Sequence, residues 1–378
     1  MDKINLLVTI SVITMFISLF LALFLVTVKT EHKLSNSLFA FFLVLTAIDM
    51  IGNINSLFYI SLNVRVFISS FFFLQLPTFY LYVLSVCYSD FKLKQKHLIH
   101  SVAFLIANLI LLPHFYTVDL PSKIRLLEKS SSIPEIQFNH ILMHIQMLLY
   151  IVAAFMILRK ARKIYLENYA GASIESLNWL FQFTFALSAF YFIALVKNIF
   201  KFTVYLNISE GLKIGLLVFE FFIIFWYLYK ALNNPSLFRN IDSKLKLVSD
   251  IISEEKKIEP ETLNEDLLRL KKYMADEKPF LDPALTIQDI SNSLDIPVRE
   301  LSVLINHQLG QHFYDFVNTY RIENTIEILK DSSKSKVTVL EILYEVGFNS
   351  KSSFNTAFKK HTGNTPTSYR KRLKNKHL

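Results

Sequence analysis

The chain has 378 residues, 52% of them hydrophobic, with 35 Phe and a mean hydropathy of +0.37. That balance points away from a wholly soluble protein, and the length leaves room for two or more domains. A single cysteine, Cys87, excludes an internal disulfide framework and a Cys-rich zinc site. The net charge of +9 says little by itself about nucleic acid, because membrane proteins are often basic in their loops.

Apolar residues dominate up to about Leu232, after which the chain becomes charged. A helix needs about 20 apolar residues to cross a bilayer. Seven such runs are expected, near Ile4–Val28, Asn36–Leu62, Val66–Ser89, Leu98–Val118, Ile136–Leu158, Trp179–Phe202 and Gly211–Leu232. The first is too long for a signal-peptide core and lacks a small-residue cleavage site, so it reads as a retained span. Only Asn63 to Arg65 separate the second and third runs, which demands a tight turn there. Pro77 in the third run reads as a kink.

Seven spans put the two termini on opposite sides. Loops on the side of the C-terminus carry Lys29, Lys33, Lys92, Lys94, Lys96, Arg159, Lys160, Arg162 and Lys163, joined by Lys230 and Arg239 after the last span. The other side carries Lys3, Arg65, Lys123, Arg125, Lys129, Lys197, Lys201 and Lys213. Eleven against eight favours a cytoplasmic C-terminus. Polar residues inside spans are candidate functional sites. Asp49 in the second span, Glu220 in the seventh, and His140 with His144 at i, i+4 on one helix face are therefore ligand-sensing candidates. The same residues also suit interhelical hydrogen bonding, and an H-x-x-x-H pair lacks a third ligand for a metal. No catalytic residues, metal site or cofactor are expected.

Residues 233–278 read as a helical linker. Leu245, Val248 and Ile252, and then Leu263, Leu267, Leu270 and Met274, recur at helical spacing, with Glu259-Pro260 between them. Each set is little more than one heptad. They serve either as short amphipathic helices packing on the following domain or as a dimer-forming signalling connector.

Residues 279–378 contain an internal repeat. Thr286 to Ile296 matches Thr338 to Phe348 at an offset of 52, and Leu301 to Gly310 matches Phe354 to Gly363 at an offset of 53. Thr286 with Asp289, and Thr338 with Glu341, have capping-box spacing. Ile287, Ile290 and Leu294 make one apolar face, which Val339, Ile342 and Val346 repeat. Asp295-Ile-Pro297 and Gly347 turn the two copies, and Gly310 and Gly363 close their second helices. Each copy, at about 286–310 and 338–363, is therefore a helix-turn-helix, and Phe313 to Asp331 forms one longer helix between them. The fold class is all-α, a seven-helix transmembrane bundle followed by this helical domain.

The region Pro279 to Leu373 resembles the AraC/XylS family of bacterial transcription regulators. Tyr344-Glu-Val-Gly-Phe348, Ser353-Phe354, Phe358-Lys-Lys360, Gly363, Pro366 and Tyr369-Arg370 carry the resemblance, with Phe313, Phe316 and Tyr320-Arg-Ile322 in the connecting helix. Leu343 and Ser291 depart from the usual small Ala. The resemblance implies double-stranded promoter or operator DNA as partner, read by the second helix of each copy. It places Arg299, Glu300, Ser302, Val303 and Asn306 of copy one, and Lys351, Ser352, Ser353, Asn355, Thr356 and Lys359 of copy two, at the DNA. Arg299 suits guanine, and Asn306 and Asn355 suit adenine. Lys360, Arg370, Lys371 and Arg372 are expected at phosphates. Charge separates the copies: Pro279 to Ser333 has three basic and eight acidic residues, a net of −5, whereas Lys334 to Leu378 has ten and two, a net of +8. The second copy is therefore expected to anchor the domain.

The chain thus reads as a membrane-bound, sequence-specific transcription regulator and not an enzyme. It is expected in the bacterial cytoplasmic (inner) membrane, in contact with the lipid bilayer, its C-terminal domain in the cytoplasm, as a homodimer responding to an unknown signal ligand. A transporter or membrane enzyme fused to a regulator, or a passively anchored regulator, is the alternative.

Overall fold

The computed structural model describes residues 3–29, 33–54, 60–88, 91–128, 133–170, 174–203, 205–233 and 260–376. The regular elements among these residues are helical, and an isolated antiparallel bridge joins Tyr169 to Thr286. Contacts divide the chain into two bodies, Met1–Leu158 with Trp179–Asn240, and Arg159–Asn178 with Ile241–Leu378.

The first body is built on α1 (Lys3–Thr27), α2 (Lys33–Met50), α3 (Leu62–Ser70), α4 (Phe72–Cys87), α5 (Val102–Leu111), α6 (Leu120–Glu128), most of α7 (Pro134–Asn168), most of α8 (Ile174–Lys201) and α9 (Leu206–Asn233). Among the described residues, seven stretches are long and apolar enough to cross a membrane: Leu6–Thr27, Lys33–Asn53, Leu62–Cys87, Gln95–Tyr116, Pro134–Asn168, Leu177–Lys201 and Asn207–Lys230. The expected turn at Asn63–Arg65 is not there. Those residues are helical in α3, and the second span ends at Asn53. The helix of the second span runs only to Met50, so Asp49 lies at its C-terminal end and not in its middle.

Aromatic packing fills this body. Phe39 stacks on Tyr227 at 4.0 Å and meets Tyr82 at 4.7 Å, and Phe79 and Phe183 lie 5.7 Å apart. Rings of this size supply most of the contact area where lipid tails remove any hydrophobic drive between helices. On α7, Ile141, Ile145, Leu148, Val152 and Met156 face outward at spacings of three and four, a stripe suited to lipid.

Pro77 stays within α4, and the helix breaks six residues earlier, at Phe71. Proline cannot donate to the carbonyl four residues back. The orphaned oxygen, that of Phe73, accepts from Gln146 Nε2 of α7 at 3.0 Å. A neighbouring helix thus replaces the bond that Pro77 removes.

The second body carries α10 (Pro260–Asp276), α11 (Ile287–Leu294), α12 (Val298–Val303), α13 (Phe313–Lys330), α14 (Val339–Glu345), α15 (Lys351–Thr362) and α16 (Pro366–Lys376). It has two cores. Ile287, Ile290, Leu301, Leu304, Ile305, Phe313 and Phe316 form the first, and Leu270 and Met274 of α10 join it. Of the two linker readings, packing on the domain describes α10; Leu245, Val248 and Ile252 lie outside the described residues. The second core holds Ile322, Ile328, Ile342, Leu343, Val346, Phe348, Phe354 and Phe358. The single helix α13 supplies residues to both, which ties the copies together. Each such buried side chain contributes about 1.5–3 kcal/mol.

Candidate nucleic-acid interface

Local chemistry starts the first helix of each copy. The Thr286 hydroxyl accepts from the Asp289 N–H, while the Asp289 carboxylate accepts from the Thr286 N–H at 2.8 Å. Thr338 and Glu341 repeat the arrangement. Both boxes satisfy amides that a helix start leaves without partners. The turns then differ. Asp295 adopts a left-handed conformation at φ 53° in the first copy, and Gly347 takes φ 89° in the second. Ser291 donates its hydroxyl to the Ile296 carbonyl at 2.6 Å and so braces the first turn. Leu343 is accommodated by full burial in the second core.

The second helices are unequal. α15 runs twelve residues from a Ser350 cap to Gly363 in a left-handed conformation. α12 has six residues and passes into a wider turn at Leu304–Gln308. On α15, Lys351, Ser352, Thr356, Lys359 and Lys360 are exposed and Asn355 is half-buried, while Ser353, Phe354 and Phe358 point inward. On α12, Arg299 is half-buried. Ser302 is 1% exposed, so it packs inside the domain and does not face DNA. Ser353 is likewise buried, at 5% exposure. In both, the inward-facing register of the helix wins over the small polar side chain.

Three further expected contacts are engaged within the protein. Asn306 donates to the Ser302 carbonyl at 2.9 Å and pairs with His312 Nδ1 at 3.1 Å. Lys360 forms an ion pair with Asp315 at 2.7 Å. Arg370 donates to the Val337 carbonyl at 2.6 Å and is half-buried, so it braces α16 against the start of α14. Of the expected basic contacts, Lys351, Lys359, Lys371 and Arg372 are exposed and are not engaged in this way. An open cleft of about 650 Å³ lies beside this surface, lined by Asn306, His312, Asp315, Thr356 and Lys360 together with Arg162.

Sequence reasoning missed Arg321. It stood within a quoted motif, but nothing in its spacing marked it as buried. Its guanidinium is 1% exposed and donates at 2.7 Å each to the carbonyls of Phe280, Asp282 and Ala170. It also lies 5.4 Å from the centre of the Phe348 ring. Burial lowers its pKa to about 10, which leaves it charged at neutral pH. The neighbouring Tyr314 is pushed up to about 12, also by burial.

In the first body, the Lys201 ammonium lies 3.4 Å from His140 Nε2, and the Asn198 amide donates to His144 Nε2 at 3.1 Å. Both histidines of α7 thus face α8. Glu220 lines a void of about 20 Å³, room for one water, with Gln75 and Tyr191. Asp49 is half-buried at the end of α2. No group of three metal-ligating side chains occurs among the described residues.

Residues 290–372 match the family model described as a helix-turn-helix domain. No curated protein and no solved structure matches the chain. The C-terminal region is an AraC-type helix-turn-helix domain, joined to seven helices long and apolar enough to cross a membrane.

Proposed function

We propose that this chain is a membrane-bound, sequence-specific transcription regulator whose helices α12 and α15 read DNA. The observation that carries the reading is the exposed face of α15. Lysines at 351 and 359 flank Asn355 and Thr356 on a helix whose opposite side is locked into a core. A helix so placed lies in a major groove with its polar face at base edges and its flanking cations at phosphates.

The membrane helices act as a one-component receptor in the cytoplasmic membrane, with the DNA-binding domain on the cytoplasmic side. The grouping of Arg159–Asn178 with the DNA-binding helices supports this topology, since that loop and the C-terminus must then share a side. His140, His144, Asp49 and Glu220 are the polar groups through which a signal would act, by favouring one arrangement of the helices over another. Two copies of the chain pair on DNA.

Genome-wide mapping of sites bound by the tagged full chain tests the DNA reading. Discrete promoter sites are expected, lost when Lys351 and Lys359 are both changed to Ala. Enrichment that is indifferent to this double change would overturn the reading. Reporter output from the mapped promoters then tests sensing. His140→Ala with His144→Ala should abolish the response while leaving occupancy measurable.

A further inference from the structure

The last turns of α7 from Arg159, the residues to Ala170 and the start of α8 to Asn178 lie at the ends of the fifth and sixth candidate spans, yet they group with the DNA-binding body. α7 accounts for the reach. Its 35 residues extend about 52 Å at roughly 1.5 Å per residue, against a hydrocarbon core of about 30 Å. Its last turns bury Ala161, Ile164 and Tyr165. Beyond them Tyr169 bridges Thr286, and the Ala170 N–H donates to the Leu285 carbonyl at 3.1 Å. The Ala170 side chain, 1% exposed, belongs to the first helix-turn-helix core.

Arg321 fastens this contact. Its hydrogen-bond acceptors are neutral oxygens, those of Phe280, Asp282, Asn318 and Ala170. The first three belong to the DNA-binding domain, whereas the fourth comes from the loop. A buried guanidinium lacking an acceptor is costly, so Arg321 favours the docked loop.

The same loop reaches the DNA-facing side. Arg162, Leu166 and Asn178 line the cleft of about 650 Å³ with Asn306, Thr356 and Lys360. A phosphate backbone that touches these last three together must enter that cleft. Lys360 pairs with Asp315 and Asn306 with His312 inside the DNA-binding domain itself, so what the docked segment adds is its occupancy of the cleft that these side chains line.

We propose that residues 159–170, the end of α7 and the short loop after it, are an intramolecular partner of the DNA-binding domain, and that their docking and full engagement of DNA exclude each other. This rests on the reading of α12 and α15 as the DNA-facing helices. Undocking supplies the two-state element that a signal in the membrane helices can bias, through a loop covalently continuous with two of them.

The test uses the full chain in nanodiscs and a duplex selected from a randomised pool by the wild-type protein. Tyr169 and Thr286 form a non-hydrogen-bonded antiparallel pair, whose Cα atoms are about 4.5 Å apart in general and so within disulfide range. Tyr169→Cys with Thr286→Cys should cross-link on oxidation. The oxidised form should bind the duplex about tenfold or more weakly than the same protein reduced, within the usual span of intersite coupling. The reduced form controls for the lost Thr286 cap. Ala170→Trp, too bulky for a side-chain site that is 1% exposed, should undock the loop and bind more tightly than wild type. Failure to cross-link, equal or tighter binding by the oxidised form, or weaker binding by a folded Ala170→Trp would each overturn the proposal. If the wild type selects no duplex at all, the DNA reading fails instead.

Discussion

Gly347 shows how one residue fixes the second turn. Its φ is 89°, and a Cβ there would meet the carbonyls of Phe280 and Leu281. Any L side chain pays for both the left-handed backbone and the collision, about 1–3 kcal/mol for the backbone alone. Gly347→Ala should therefore loosen α14 and the start of α15, read as faster amide hydrogen exchange there than in α11. At the third residue of α14, Glu341 sets a pH dependence. Hydrogen bonds from the Thr338 N–H and hydroxyl lower its pKa below the ordinary 4.5. A depressed carboxyl contributes stability that is fully present above its unfolded pKa and is lost as pH falls through the folded one. Protection of the α14 amides should thus decline below about pH 4.5 in the native protein. Glu341→Gln keeps an acceptor for the Thr338 N–H, so its protection should be flat over the same range. An unchanged pH profile in that variant would assign the loss to another group. These features were legible in the sequence because caps and left-handed turns are decided within four residues. Ser302, Ser353 and Arg370 were not, because their orientation depends on packing against helices far along the chain.

At the scale of elements, α12 and α15 repeat one sequence pattern but divide the work. α15 is twice as long and carries Lys351 and Lys359 exposed, whereas α12 ends in a wider turn after six residues and sits in the acidic copy. Each phosphate contact contributes about −0.9 to the slope of log affinity against log salt. Lys351→Ala with Lys359→Ala should therefore weaken binding to all sequences and reduce that slope by about two. Arg299→Ala should instead relax sequence preference at one position with little change in slope. A double-lysine variant with the native slope would show that α15 does not sit on the backbone. The family resemblance placed Arg370 among the phosphate contacts, and in the structure it is bonded to the Val337 carbonyl. Arg370→Ala should consequently act through α16 stability, with the slope unchanged. Charge is readable from composition; whether a charged group is already committed to a carbonyl is a matter of tertiary distance.

Across the whole molecule, the span count and the C-terminal repeat followed from hydropathy and periodicity, because both are carried by runs of residues and tolerate errors at the ends. The membership of residues 159–178 did not follow. Its one trace in the sequence is that helical spacing persists through Ala161, Ile164 and Tyr165 after the apolar run ends near Leu158. That membership sharpens the argument for topology. With seven spans, the loop after the fifth and the C-terminal domain share a side, and the basic excess favours the cytoplasm for that side. Single cysteines then give a decisive reading against the natural Cys87, which is fully buried. Arg125→Cys, exposed between the fourth and fifth spans, should react with a membrane-impermeant maleimide in intact spheroplasts. Lys96→Cys, exposed at the start of the fourth span, should react only after lysis. The reverse pattern would put the DNA-binding domain on the wrong side of the membrane to meet a chromosome, and the receptor reading could not stand with it. Labelling of both in intact spheroplasts would mean that a span between them does not cross, which would break the link between residues 159–170 and the signal.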